Sequence, residues 1–383
     1  MDDAAYPKAT RATDRARVYE LDAQIHELEE KLRVLQTERA PYLQRLNSCK
    51  YPVLTLPNEI ISEIFVHALP PYPSCPPMKG PKSPTHLNLI CRKWRDVALG
   101  TPQLWRAITL PYTDDKQVDM VRTWLDRSRS CPLSIKLSWE KTLPRTELCE
   151  AILLHRQRWE HVHLSVADES EFALIEGTLP MLLSLSVKFD GSVMGHMRPV
   201  AQNYPRLESL ALSNLECSVD RLPWSQLTSL TLSSRTDDCA VVLQAAVNLV
   251  ELKLIDCRVD RVDVQFIRLE TLILDYRYGL ADFPRHMIHM FTLPALHTLQ
   301  LCAKLLGKQP IDALSSFISR SGCRLRKVLI TGKRKRIDSK ELFRQAFPTI
   351  PKIAFNSDYD WYMRWKGDEE DSDDDCQHPE EEE

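Results

Sequence analysis

The sequence predicts an α/β protein in which an N-terminal helix and a small helical unit precede an irregular, horseshoe-like solenoid of parallel β-strands. Three observations support this fold class. An apolar heptad pattern lies near the N-terminus, two short apolar clusters flank a run of prolines, and a leucine motif then recurs through most of the chain. Because each pattern has its own period, the order of the patterns gives the order of the elements.

Length and composition set the outer limits. The chain has 383 residues, of which 43% are hydrophobic, enough for two or three domains with a sizeable core. No apolar run is long enough to span a bilayer, and the N-terminus lacks a signal-peptide pattern. Eleven scattered cysteines without a C-x-x-C pair suit a reducing compartment. The expected location is therefore cytoplasmic, nuclear or both, with no membrane partner.

Residues 14–39 carry the heptad pattern of an amphipathic helix. Steps of three and four separate its seam residues, which are Val18, Leu21, Ile25, Leu28, Leu32 and Leu35. Pro41 is expected to end or kink the helix. About three heptads is the lower bound for a coiled coil. Residues 1–48 are thus predicted to form an N-terminal helix whose seam either packs on the chain's own body or pairs with a second copy.

Residues 49–110 are predicted to form a small helical unit. Its first helix begins near Pro57, a residue that suits a first helical turn, and carries a broad apolar face. Residues 70–84, called the insert below, hold seven prolines and predict an extended linker. A second helix is predicted from about Pro84 to Leu99. Its apolar face is Leu87, Ile90, Cys91, Trp94, Val97 and Ala98.

From Trp105 onward the chain repeats the motif apolar-x-x-apolar-x-apolar. Copies start 20 to 29 residues apart, the period of leucine-rich repeats. Each copy predicts a short parallel strand that buries alternate leucines. The usual asparagine or cysteine three residues after the last strand leucine is mostly missing, so no regular side-chain ladder is expected. The ten copies begin at Trp105, Pro132, Trp159, Leu182, Leu207, Leu227, Leu249, Leu269, Leu296 and Leu325.

The domain organisation ends with a cap and a tail. Residues 111–366 are predicted to be the repeat domain, closed by a C-terminal cap of helix and strand character. Residues 367–383 hold eleven carboxylates and no lysine or arginine, and without these charges the formal net charge of −3 becomes +8. Because like charges repel one another, this segment is predicted to be a disordered acidic tail.

The helical unit resembles an F-box. The resemblance rests on Leu56-Pro57-x-Glu59-Ile60, Ile64-Phe65 and Ile90-Cys91-Arg92-Lys93-Trp94-Arg95. More narrowly, the chain resembles fungal F-box proteins with a short N-terminal coiled coil, a proline-rich insert inside the F-box and degenerate leucine-rich repeats. The resemblance covers the chain except for its acidic tail, and the insert is the departure from the common F-box.

This resemblance implies a substrate receptor rather than an enzyme. An F-box binds a Skp-family adaptor, which joins it to a cullin ubiquitin ligase complex, and the repeats bind the protein substrate to be ubiquitinated. The alternative is an F-box and repeat scaffold without a role in ubiquitination. Carried over by position, the adaptor-binding residues are Leu56, Pro57, Ile60, Ile64, Phe65, Cys91 and Trp94.

Residues between the repeat leucines point away from the core and form the candidate substrate-binding surface. Small side chains make a floor beside a charged patch, an arrangement that suits an inserted segment oriented by ion pairs. Ordinary solvated strands have a similar composition, so this alternative stays open. The candidates are Ser209, Ala211, Ser229, Thr231, Glu251, Lys253 and Asp275.

No pattern in the sequence predicts catalysis, a cofactor or a metal site. Phosphate-binding glycine loops, serine-hydrolase elbows and zinc-protease motifs are missing from it. Cys91 fits a core thiol, while His161 and His163 share one strand face without a third metal ligand. The basic run Lys333-Arg334-Lys335-Arg336 predicts a solvated loop or an import signal. The lack of interleaved aromatics disfavours a nucleic-acid contact.

Overall fold

The computed structural model describes residues 8–48, 52–110, 118–138, 146–166, 175–189, 195–197, 203–217, 222–233, 239–257, 259, 263–276, 287–332 and 340–356. The chain divides into two compact units, one ending at Ile61 and the other beginning at Ser62. The predicted acidic tail and the basic run at 333–336 lie outside the described residues.

The first unit consists mainly of helix α1, Lys8–Ser48, followed by a 3₁₀ turn at Pro52–Thr55. Pro41 was expected to end or kink the helix; it does not end it, because the helix continues through Pro41 to Ser48. A proline removes one amide donor, and the surrounding Leu, Gln, Glu, Arg and Ala residues are good helix formers. Ion pairs one turn apart add small increments on the exposed surface: Arg17–Glu20, Glu27–Lys31 and Glu30–Arg33.

Helix α2, Asn58–Ala68, crosses the boundary between the two units. From α5 onward, each described helix connects two strands, which lets the chain return for the next parallel strand. The other α-helices among the described residues are α3 (Pro84–Leu87), α4 (Arg92–Gly100), α5 (Val118–Arg127), α6 (Thr146–Leu153), α7 (Cys239–Ala245), α8 (Pro310–Ser321) and α9 (Lys340–Ala346).

The second unit contains one large parallel sheet. The described strands of this unit are β1 (Ala107–Leu110), β2 (Leu133–Ser138), β3 (Trp159–Val166), β4 (Ser184–Phe189), β5 (Gly195–Met197), β6 (Ser209–Ser213), β7 (Leu215–Cys217), β8 (Ser229–Ser233), β9 (Glu251–Ile255), β10 (Val264–Gln265), β11 (Thr271–Asp275), β12 (Phe291–Thr292), β13 (Thr298–Cys302), β14 (Lys327–Thr331) and β15 (Lys352–Asn356). Two small separate sheets are formed by β5 with β7 and by β10 with β12. The other eleven form the large sheet, with neighbours in chain order. All ten predicted repeat strands are therefore confirmed as members of one parallel sheet.

Leucines at equivalent positions of neighbouring strands stack in register. Leu210, Leu230, Leu252 and Leu272 are successive Cα partners, and each is at most 1% exposed. The predicted alternation is confirmed. Because side chains of a strand alternate between its two faces, the residues between these leucines lie on the opposite face, called the outward face below. A second buried row contains Leu212, Leu232, Leu254 and Leu274.

Polar side chains at the ends of some strands donate hydrogen bonds to backbone carbonyls near the end of the preceding strand of the large sheet. The Asn214 amide donates to the Phe189 carbonyl at 3.1 Å, and the Cys257 thiol donates to the Leu232 carbonyl at 3.2 Å. Similar bonds run from Cys302 to Tyr276 at 3.7 Å and from Thr331 to Leu301 at 3.4 Å. These contacts involve different residue types at different offsets, so they do not form a regular side-chain ladder, as expected. The contacts come one, two or three residues after the last inward residue of the strand, and the sequence reading considered only the third position.

The helix predicted from Pro84 to Leu99 is wrong in its continuity, because α3 and α4 are separate helices. Cys91 between them is extended, with φ −156° and ψ 170°, and its sulfur accepts a hydrogen bond from the Trp94 amide at 3.5 Å. This cap starts a new helix. Leu87 is therefore buried while Ile90 is exposed, although both were expected on one apolar face.

The C-terminal helix and strand close the described part of the sheet. Phe343 of α9 is buried, with its ring centroid 5.4 Å from that of Phe355 on β15 and 6.2 Å from that of Phe347. The helix and strand character predicted for the cap is confirmed over residues 340–356. The remaining cap residues, 357–366, lie outside the described residues.

Leu272→Ala is expected to lower the free energy of unfolding by about 2–5 kcal/mol, because it opens a cavity between two stacked neighbours. Chemical denaturation measures this loss. Thr271→Ala is the matched control on the same strand. It faces outward and is expected to cost less than about 1 kcal/mol. A loss below about 0.5 kcal/mol for Leu272→Ala would contradict the burial of this row.

Candidate interaction surfaces

Helix α2 is apolar on two sides. Ile61 and Phe65 are 0% and 1% exposed, whereas Ile60 and Ile64 are 49% and 45% exposed. Residues four apart lie one above the other on a helix, so each pair forms a short stripe. The buried stripe removes two large apolar side chains from water. The exposed stripe leaves two large aliphatic side chains in contact with water.

Phe65 and Trp94 join the two halves of the helical unit. Their ring centroids are 4.9 Å apart with an interplanar angle of 61°, an edge-to-face contact. Cys91 caps α4 through its sulfur, as described above. The Trp105 indole then donates to the Ala98 carbonyl at 2.9 Å and fastens the end of α4. Of the residues predicted to contact an adaptor, Phe65, Cys91 and Trp94 therefore serve the internal packing of this unit.

The remaining predicted adaptor residues lie nearer the surface. Pro57 is exposed and Leu56 is half-buried. Sequence reasoning missed Leu89, which is 75% exposed, just before the cap of α4. It was missed because the predicted continuous helix gave residues 88–91 the wrong orientation.

The insert is attached to the first strands of the sheet through Tyr72. Its hydroxyl donates to the Glu160 carboxylate at 2.7 Å. Its ring centroid lies 5.3 Å from that of His161, and the Arg106 guanidinium carbon is 4.0 Å from the ring centroid. The positively charged guanidinium of Arg106 is attracted to the electron-rich face of the Tyr72 ring. Tyr72 is thus held from three directions by residues of the second unit.

Further contacts fix the insert on either side of its middle. The Ser134 hydroxyl donates to the Pro73 carbonyl at 2.6 Å, and the Cys75 sulfur lies 3.7 Å from the Ser134 hydroxyl oxygen. Near its end, the buried Ser83 donates to the Met78 carbonyl at 3.0 Å. The described insert residues before the first turn of α3 form neither helix nor strand, as expected. The insert is, however, a docked segment rather than a free linker.

Burial sets the protonation states around Tyr72. Burial raises the pKa of the Tyr72 hydroxyl, and its hydrogen bond to Glu160 raises it further. Burial lowers the pKa of His161, and the nearby Glu160 carboxylate partly opposes this effect. A neutral tyrosine donating to a carboxylate is a structural arrangement, since no group here lowers the hydroxyl pKa enough to make it a nucleophile.

The structure brings most of the predicted substrate-binding residues together on the outward face. Ser209, Ser229 and Glu251 are successive Cα partners, as are Ala211, Thr231 and Lys253. The same alternation extends these rows to Ser184 and Ser186 of β4. The result is a floor of small side chains across three strands, with one charged strand beside it. Thr231 within this floor is only 8% exposed, so the expectation that it offers a binding surface is corrected.

The predicted charged patch is smaller than expected. Glu251 and Lys253 form an ion pair at 2.9 Å, and Glu251 also accepts a bond from Ser229 at 3.2 Å. Asp275 is only 6% exposed, and its carboxylate accepts the Tyr276 amide at 2.9 Å. Asp275 therefore binds the backbone after its own strand. The two remaining charges largely neutralise each other.

The described residues contain neither a candidate metal site nor a candidate membrane span. Within these ranges, no three His, Cys, Asp or Glu side chains come together in a way that could hold a metal ion. No helix among the described residues combines the length and apolarity needed to cross a bilayer. No protein-family model matches this sequence, and a search of curated proteins found no significant relative.

Tyr72→Phe is expected to lower the free energy of unfolding by about 1 kcal/mol, because it removes a half-buried hydroxyl–carboxylate bond. Tyr72→Ala also removes the contacts with Arg106 and His161, so the insert should detach and tryptic cleavage after the exposed Lys79 should accelerate. Tyr19→Ala removes an exposed tyrosine and is the control. Equal cleavage rates in Tyr72→Ala and wild type would show that Tyr72 does not hold the insert.

Stability is expected to fall below about pH 6.5 through His161. The ring titrates near that pH in an unfolded chain, while burial lowers its pKa in the fold. The unfolded state therefore binds the proton first, and stability present above this pH is lost as the pH falls toward the folded pKa. His161→Gln removes this titration and leaves His155, whose pKa burial also lowers. The measurement is the free energy of unfolding of wild type and of His161→Gln from pH 5 to 8. A difference between the two that stays constant over this range would contradict the prediction.

Proposed function

We propose that this protein is an F-box substrate receptor, which binds a Skp-family adaptor through its helical unit and presents a protein substrate on its repeat domain to a cullin ubiquitin ligase. The observation that carries the proposal is the two-sided helix α2. One stripe, Ile61 and Phe65, is buried, and the other, Ile60 and Ile64, is exposed. It follows directly after the Leu56-Pro57 pair that carries the resemblance to an F-box.

The adaptor surface of this proposal is narrower than the sequence alone suggested. Leu56, Pro57, Ile60 and Ile64 are its contact residues. Phe65 and Trp94 act indirectly, since their ring contact holds the two halves of the unit together. Large aliphatic side chains with half of their surface exposed gain free energy when a partner buries them. This gain gives the exposed stripe a physical reason to bind.

The proposed substrate surface is the outward face of the repeat domain. The period of the motif and the stacked leucine rows support an assignment of the large sheet to degenerate leucine-rich repeats. The insert already contacts the first three strands, so the substrate is placed from β4 onward. Ser209, Ala211 and Ser229 form its floor, and the Glu251–Lys253 pair provides hydrogen-bonding groups at its side.

The alternative is a scaffold that uses the same adaptor without directing ubiquitination. A pulldown with a purified Skp-family adaptor, followed by ubiquitination of co-captured proteins in a reconstituted ligase, distinguishes the two. Adaptor binding with modified partners supports the receptor. Adaptor binding without modification supports the scaffold. Loss of the same partners in Ala211→Arg would place their binding on the outward face.

Ile60→Ala combined with Ile64→Ala is expected to weaken adaptor binding by at least about 10-fold, because each truncation removes apolar surface that the adaptor buries. Isothermal titration calorimetry with the purified adaptor measures the affinity. Val247→Ala with Ile267→Ala is the control, since both side chains are exposed elsewhere in the second unit. Wild-type affinity in the Ile60 and Ile64 variant would exclude this stripe as the adaptor surface. Phe65→Ala is unsuitable for the test because it leaves a cavity in the core and removes the contact with Trp94.

A further inference from the structure

The apolar seam of α1 is longer than the sequence pattern indicated. Because the helix continues through Pro41 to Ser48, the heptad extends to two further positions, Tyr42 and Leu46. Pro41 itself lies on the side of the helix opposite the seam, where the hydrogen bond lost with its missing amide hydrogen does not affect seam packing. The seam then runs from Val18 to Leu46, four heptads and about 42 Å of helix.

The whole of this seam is exposed in the single chain. Each seam residue apart from Arg39 is apolar and between 40% and 70% exposed; they are Val18, Leu21, Ile25, Leu28, Leu32, Leu35, Tyr42 and Leu46. An apolar row of this length on one helix, interrupted only by Arg39, marks an interaction surface. Its strict alternation of three and four residues fits the grooves of another helix with the same repeat.

We propose that α1 pairs with α1 of a second copy in a parallel, two-stranded coiled coil. In heptad notation, the a positions are Val18, Ile25, Leu32, Arg39 and Leu46, and the d positions are Leu21, Leu28, Leu35 and Tyr42. The first two heptads combine a β-branched a residue with leucine at d. This combination favours two parallel strands over three or four.

The flanking charges agree with parallel pairing. In a parallel dimer, each g residue faces the e residue five positions later in the second copy. Arg17 then meets Asp22 of the second copy, an attractive pair. The other three g–e pairs of the seam each contain an uncharged residue: Gln24–Glu29, Lys31–Gln36 and Glu38–Leu43. None of these four g–e pairs therefore brings like charges together.

Arg39 selects the alignment. It occupies an a position, and a single polar a residue fixes register and oligomer size at some cost in stability. Parallel pairing places the two Arg39 side chains together, next to Glu38 of each helix, which supplies the opposite charge. Antiparallel pairing would place Arg39 across from Leu21 or Leu28 of the second copy, burying a cation in an aliphatic layer.

Sedimentation equilibrium of the full chain tests the pairing. Wild type is expected to be a dimer, with twice the 44.2 kDa mass of one chain. Ile25→Glu with Leu28→Glu should weaken dimerisation at least about 100-fold, since it places like charges in the seam. Val34→Glu is the matched control, because Val34 is an aliphatic residue of the same helix, 55% exposed but outside the seam. It should remain dimeric.

Cysteine cross-linking tests the direction. In a parallel dimer, Arg39→Cys should form an intermolecular disulfide on mild oxidation, since its two copies face each other. Val34→Cys is the control, since residue 34 lies outside the seam and its two copies should not face each other under the same oxidation. A monomeric wild type at tens of micromolar, a mass of three or more chains, equal disruption by Val34→Glu, or failure of Arg39→Cys to cross-link would each overturn the proposal. Circular dichroism of every variant confirms that the sheet is folded.

Discussion

The stacking of inward leucines from strand to strand is the constraint on which the rest of the second unit depends. A single five-residue strand with two leucines has no core of its own, and it becomes stable only between two similar strands. Each position is thus determined by its neighbours along the sheet. Most outward residues are less constrained, because their side chains leave the core, although Ser134 and Asp275 make specific hydrogen bonds. The packing that fixes the fold therefore also provides an outward surface whose residues can change without disturbing the core.

The motif made most of the sheet predictable. Leucines at alternate positions, repeated every 20 to 29 residues, located ten strands. A strand points alternate side chains to one face, so this pattern is typical of short strands that stack their leucines in one core. The helical pair was predicted less well. Cys91 bonds its sulfur to the next turn and starts a new helix, and cysteine is not among the residues expected at a helix start.

Contacts between residues far apart in the chain could not be predicted from the sequence patterns. Tyr72 and Glu160 are 88 positions apart, and no periodicity links a residue in a proline run to one at the start of a strand. Asp275 shows the same limit on a smaller scale. Alternation placed it outward, but the turn after its strand supplies an amide that its carboxylate binds. Local hydrogen bonding of Asp with the backbone competes with the regular strand pattern.

The docked insert has a consequence for the size of any ligand on the outward face. By contacting β1, β2 and β3, it leaves eight strands of the large sheet, from β4 to β15. At about 4.8 Å between strands, this track is about 34 Å long. An extended chain crossing it would need about ten residues, at roughly 3.4 Å each. The insert therefore bounds the outward face at the β3 end of the large sheet.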